Sequence, residues 1–125
     1  MDVRKLQKIT VAALEDIKAR DIQVINTSKL TPLFERMIIA SAESTRQVKA
    51  LAHNVFDKVK EAGGEIIGME GEDSGEWVLV DLGSIVVHVM QPAVRVHYNL
   101  EELWQARPKK ASLRAADTAA SAAAK

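Results

Sequence analysis

The chain contains no cysteine, so disulfides and thiolate metal sites are excluded, and nothing in its chemistry demands an oxidising compartment. No stretch approaches the roughly 20 consecutive apolar residues that a membrane-spanning helix requires. The amino terminus opens on charged Asp2, Arg4 and Lys5, where a signal peptide would carry a continuous apolar stretch. A cytoplasmic protein without a membrane partner is expected. Net charge is also lacking, since 17 Lys and Arg balance 17 Asp and Glu. That balance hides a division: residues 1–104 carry 12 basic and 16 acidic side chains, and residues 105–125 carry 5 and 1. A net-negative body argues against broad phosphate-backbone binding and sequence-specific nucleic-acid recognition, and suits a basic protein partner.

What is present reads as one α/β domain over 1–104 followed by an Ala- and Lys-rich tail over 105–125. The apolar positions Leu6, Ile9, Ala13 and Ile17 recur at three and four residues and predict a helix over 2–19. Ile22 to Ile25 reads as a short strand, Asn26-Thr27-Ser28 as a turn, and Pro32 as the opening of a brief helical segment. Met37-Ile38-Ile39-Ala40 is an uninterrupted apolar run, expected of a strand covered on both faces. Ser44 with Gln47 fits a capping box, and the rhythm Val48, Leu51, Ala52, Val55, Val59, Ala62 runs to Gly63-Gly64, a helix stop. Strands are expected over 65–69, 77–82 and 85–90, and Asn99 or an adjacent residue is expected to cap a last short helix through Trp104. About five strands, partly parallel and flanked by helices, follow from this order.

Gly83-Ser84 has the composition of a two-residue hairpin turn. That turn would pair Trp77 with Met90, Leu79 with His88 and Asp81 with Val86, and alternation would then sort the side chains. One face carries Val78, Val80, Leu82, Ile85, Val87 and Val89, all aliphatic, and is core. The other carries Trp77, Leu79, Asp81, Val86, His88 and Met90, apolar bulk edged by a carboxylate and an imidazole. Such a mixture suits a partner-binding face, with Trp77 and Met90 as anchors. Glu70, Glu72, Asp73 and Glu76 beside it would attract a basic partner. The competing reading is that a helix of the same chain covers this face, with Asp81 and His88 satisfied internally; the pattern does not decide between them.

Motifs for catalysis are sparse. His53, His88 and His97 have no close ligand spacing. Asp81, His88 and Ser84 lack the strand-to-helix elbow that a serine nucleophile needs. No glycine pattern opens a helix as a phosphate cradle does. Arg46 and Lys49 fall in the first turns of the long helix, where they could hold an anion, but exposed helical charges seldom act so specifically.

Taken in order, Asp21-Ile22, Met37-Ile38-Ile39-Ala40, Ser44-Thr45-Arg46-Gln47-Val48, Glu70-Gly71-Glu72, Trp77 to Gly83, Val87-His88 and Tyr98-Asn99-Leu100-Glu101-Glu102-Leu103-Trp104 resemble the ribosome-silencing factor, or Iojap-related, family over residues 2–104. The resemblance implies a nucleotidyltransferase-like mixed sheet without the catalytic site and without a cofactor. It further implies docking on the large ribosomal subunit at ribosomal protein uL-fourteen, where the factor obstructs small-subunit joining and lowers translation under nutrient limitation. Ala42, His53 and Ser84 depart from the residues usual in that family. A magnesium-dependent nucleotidyltransferase-like enzyme is the alternative, and a homodimer off the ribosome is a competing use of the hairpin face.

Overall fold

In a computed structural model of the chain, residues 1–100 are described; the expected helix through Glu101, Glu102 and Trp104 and the tail lie outside them. Helix α1 (Val3–Asp16) begins where the Asp2 carboxylate accepts from the Lys5 amide at 2.8 Å. It buries Leu6, Thr10, Ala13 and Leu14, and the Thr10 hydroxyl is satisfied by donating to the Leu6 carbonyl. The helix stops short of the expected residue 19 because Lys18 takes a left-handed φ of 60°. Strand β1 (Arg20–Asn26) follows, irregular between Arg20 and Gln23, where Asp21 also has a positive φ.

No helix forms at Pro32. The turn lies upstream: the Leu30 and Thr31 amides donate to the Thr27 carbonyl, the Thr27 hydroxyl donates to the Phe34 carbonyl, and the Thr31 hydroxyl accepts from the Leu33 amide. Side-chain hydroxyls thus satisfy backbone groups that a helix would otherwise pair. Strand β2 (Arg36–Ser41) then enters the sheet, and helix α2 (Thr45–Glu61) leaves it. Ser44 Oγ accepts from the Gln47 amide at 3.1 Å. The other half of the capping box is not made, because the Gln47 side chain donates to the Ile17 carbonyl. With Asn54 donating to the Ala13 carbonyl at 2.7 Å, it ties α2 to the end of α1. At the far end Gly63, with φ of 87°, allows the Gly64 amide to reach back to the Val59 carbonyl.

Strand β3 (Gly68–Glu70) is shorter and later than the sequence predicts. Gly68 pairs with Asp81, the last residue of β4 (Trp77–Asp81), so residues 65–66 run past the end of the only strand they could pair with. Strand β5 (Ile85–Met90) returns antiparallel to β4 in the expected register, Trp77 opposite Met90 through Asp81 opposite Val86. The Leu82 amide donates to the Ile85 carbonyl across the turn, and Gly83 supplies the φ of 85°. Helix α3 (Pro92–Tyr98) follows, and Asn99, at φ 46°, ends it as its C-cap; Leu100 directly after Asn99 is helical.

The sheet order is β1-β2-β5-β4-β3, with β2 and β5 parallel and the other pairs antiparallel. It is the expected mixed five-stranded sheet. Helices α1 and α2 cover one face, where Val78, Val80, Leu82, Ile85, Val87 and Val89 meet Leu14, Leu51, Val55 and Val59. The opposite face is covered too: Ile25, Met37, Ile39, Leu79, Val86 and Met90 pack with Phe34, Leu100 and the half-buried Leu30 and Val94. The cover comes from the loop after β1, from α3 and from Leu100.

If that loop acts as a lid, Phe34→Ala should lower stability by about 3–5 kcal/mol, the usual effect of deleting a buried phenyl ring. The exposed neighbour Leu33 should change it by no more than about 0.5 kcal/mol on conversion to alanine. Urea unfolding of the two variants compares them directly; equal midpoints would mean that residues 27–35 do not seal the sheet.

Candidate partner-binding surface

The nine residues expected to bind a partner, six on the hairpin face and Glu70, Glu72 and Asp73 on or beside it, divide into three groups. Leu79, Val86, His88 and Met90 are buried, His88 and Met90 completely. Their expected role as a contact surface, with Met90 as an anchor, is corrected: they form the second core, because the lid residues and α3 occupy the space a partner would need. The apolar face proposed for self-association is covered in the same way within one chain.

Trp77 and Asp81 lie at the margin of this covered area and remain partly exposed. Glu70 pairs across β3 and β4 with Leu79, and cross-strand partners share a face; exposed Glu70 therefore stands on the same side as Trp77. The Asp81 carboxylate accepts from the Gly83 amide at 2.8 Å, so part of its hydrogen-bonding capacity shapes the turn.

Glu72 and Asp73 form the third group. The Glu72 carboxylate meets His53 Nε2 on α2 at 2.9 Å, both side chains well exposed, and Lys49 donates to the Asp73 carbonyl. The acidic loop is thereby drawn toward α2. Gly71 fixes the other side of the loop, for a Cβ there would lie 2.0 Å from the Trp77 carbonyl oxygen.

Trp77 is held from two directions. Its Nε1–H donates to His88 Nδ1 at 2.9 Å, and its ring meets that of Tyr98 with centroids 4.7 Å apart and planes tilted by 52°. Aromatic pairs in this range add about 0.5–1.5 kcal/mol beyond their burial. Tyr98 is 47% exposed, and sequence reading did not select it as a site residue. Its signal in the sequence was its place at the head of the Tyr98-Asn99-Leu100 motif; the contact with Trp77 spans the fold.

The Asp81, His88 and Ser84 hydroxyl-to-imidazole arrangement is not assembled, since Asp81 serves Gly83 and His88 serves Trp77. Among the described residues no group of three or more His, Asp or Glu side chains converges on one point. A separate pocket of about 420 Å³ lies between β1, the end of β2 and α3, lined by residues that include Asp21, Ser41 and Arg95. Arg95, itself buried, donates to Ser41 Oγ at 2.8 Å.

The family model described as "Ribosomal silencing factor during starvation" matches residues 1–125. The chain belongs to the ribosomal silencing factor family. Family membership carries the general function, ribosome-associated silencing of translation. One relative, "Ribosomal silencing factor RsfS" of Chromobacterium violaceum, is 59% identical over 104 residues, covering 83% of this chain and 85% of its own. A mouse protein, "Mitochondrial assembly of ribosomal large subunit protein 1", is 35% identical over 100 residues, covering 78% of this chain and 44% of its own. A crystal structure of a Chromobacterium violaceum protein superposes with a TM-score of 0.83 at 55% identity, over 88% of this chain and 92% of that one. No helix among the described residues is long and apolar enough to cross a membrane.

Burial lowers the His88 pKa from the usual 6.5 to about 3, because the charged imidazolium would lose its hydration. The unfolded chain takes up this proton below about pH 6.5 while the native state stays neutral, so acid favours unfolding throughout that window. Stability should fall by roughly 2–3 kcal/mol between about pH 6.5 and 4.5 from this residue. Urea titrations of wild type and His88→Asn across that range should differ by this slope; parallel curves would mean that His88 is not held neutral.

Proposed function

We propose that the protein represses translation by docking on the large ribosomal subunit at ribosomal protein uL-fourteen and obstructing small-subunit joining, so that synthesis falls when nutrients are limited. The partly exposed Trp77, hydrogen-bonded to His88 and packed at a tilt against exposed Tyr98, is the observation that carries this reading. A large, immobilised aromatic pair at a surface gains by leaving water and loses little side-chain freedom on docking. Glu70 and Asp81 on the same side supply carboxylates for a basic partner, and Glu72 and Asp73 contribute to the longer-range field that steers it. The action is steric: occupying the joining surface is enough, and neither a cofactor nor a covalent step enters.

Trp77→Ala and Tyr98→Ala should each weaken co-sedimentation with purified large subunits, Trp77→Ala by at least about thirtyfold, the factor that corresponds to a central hot-spot residue. Circular dichroism should remain that of the wild type. Glu70→Gln should act mainly through association rate, with a smaller effect at high salt. Subunits preincubated with wild-type protein should fail to reassemble into intact ribosomes, and the Trp77 variant should restore reassembly. Wild-type binding by a folded Trp77→Ala protein would remove the proposed anchor.

A further inference from the structure

The interior of the second core is otherwise apolar, yet it contains an imidazole. His88 sits in the central strand β5, with Leu79 opposite it on β4 and Ile39 beside it on β2, and it has no exposed surface. A leucine or methionine at this position would avoid placing a polar ring there, since burying polar groups without full hydrogen bonding is unfavourable. The geometry also dictates the tautomer. An indole N–H can only donate, so the 2.9 Å contact from Trp77 Nε1 requires His88 Nδ1 to be the unprotonated acceptor. The ring proton of the neutral form then sits on Nε2, and Nε2 is buried with no hydrogen-bond partner among the described residues. The imidazole therefore makes one side-chain hydrogen bond, and that bond is to the one residue of this face that reaches the surface as a large aromatic group.

We propose that His88 is a positioning residue for partner docking: its Nδ1 fixes the orientation of the Trp77 indole, presenting the ring edge beside Tyr98 in the geometry a ribosomal protein engages. This rests on the docking role given to Trp77 above. Three features support it together. The acceptor is rooted in the central strand, whose register is set on both sides. It sits 11 residues from its donor in sequence but diagonally across the hairpin from it, Trp77 opposing Met90 and His88 opposing Leu79, so the indole keeps this bond only in the orientation that the sheet dictates. The ring planes of Trp77 and His88 are tilted by 51°, while Tyr98 restrains the indole from α3. Two restraints from different elements define one orientation; loss of the deeper one would leave the indole free to turn about its side-chain bonds, and docking would then have to order it.

Three measurements test this. In wild-type protein, nitrogen NMR of the His88 ring should show Nε2 protonated and Nδ1 bare near neutral pH, and the Trp77 indole proton, identified by its loss in Trp77→Phe, should exchange slowly with solvent. A His88 ring protonated at Nδ1 would overturn the proposal whatever the variants do. In His88→Leu, which keeps apolar bulk but has no acceptor, the indole proton should exchange faster and large-subunit binding should weaken about tenfold, the factor associated with one net hydrogen bond. His88→Asn, whose side-chain oxygen can occupy the Nδ1 position, should recover most of both properties. Folded His88→Leu protein with a protected indole and wild-type affinity would refute the positioning role. The docking reading has its own test in Trp77→Ala: if that variant binds normally while the indole exchange responds to His88 as expected, His88 still orients Trp77 but not for this partner.

Discussion

Every side chain on β4 and β5 takes its place from one hydrogen bond, the Leu82 amide donating to the Ile85 carbonyl across Gly83-Ser84. A turn of two residues leaves no freedom in register, and a slip by one would exchange the two faces completely. The slip is opposed on both sides, because β5 is central and β2 pairs with it in parallel from Arg36 opposite Ile85 to Ser41 opposite Met90. The Asp81 carboxylate reinforces the turn by accepting from Gly83. With the register fixed, the aliphatic set faces α1 and α2, and Trp77, Leu79, Asp81, Val86, His88 and Met90 face the other way.

That hairpin was legible because its information is local: alternation over six residues, a glycine able to adopt positive φ, and aliphatic side chains at every second position. The long helix α2 was legible for similar reasons, from Ser44 at one end to Gly63 and Gly64 at the other. The lid was not. Leu30, Phe34 and Val94 lie in segments without a sustained period, and nothing in their spacing says which sheet face they reach. Their burial depends on how Thr27 and Thr31 fold the loop after β1, and on α3 crossing the face opposite to α2. The uninterrupted apolar run of β2 did contain a warning: a strand buried on both faces implies a covered sheet on both sides, and its parallel neighbour β5 shares that environment.

The same limit explains the candidate site. Trp77 was recognisable as an aromatic residue at the end of a strand, but its contact with Tyr98 depends on the placement of α3, and its bond to His88 depends on a diagonal across two strands. Acidic residues close in sequence were grouped with it, although alternation and tertiary contacts separate them. Glu70 shares its face through pairing with Leu79, whereas Glu72 is engaged by His53 of α2. Charge near a hairpin in sequence is thus poor information about which side of the sheet bears it.

Sealing the sheet changes the physical character of the surface that remains. A broad exposed apolar face would favour self-association as readily as docking, since it would offer any apolar partner a similar gain. Here most of that area is spent on internal packing, and a single indole with an adjacent phenol is left at its margin. Such a surface gives up buried area and gains definition: the backbone beneath Trp77 is crowded by Gly71, its N–H is committed to His88, and its ring rests against Tyr98. Affinity between proteins follows preorganised anchors more closely than contact area. Under the docking role proposed above, specificity resides in that kind of fixed shape, and in this chain the second core is what holds it in place.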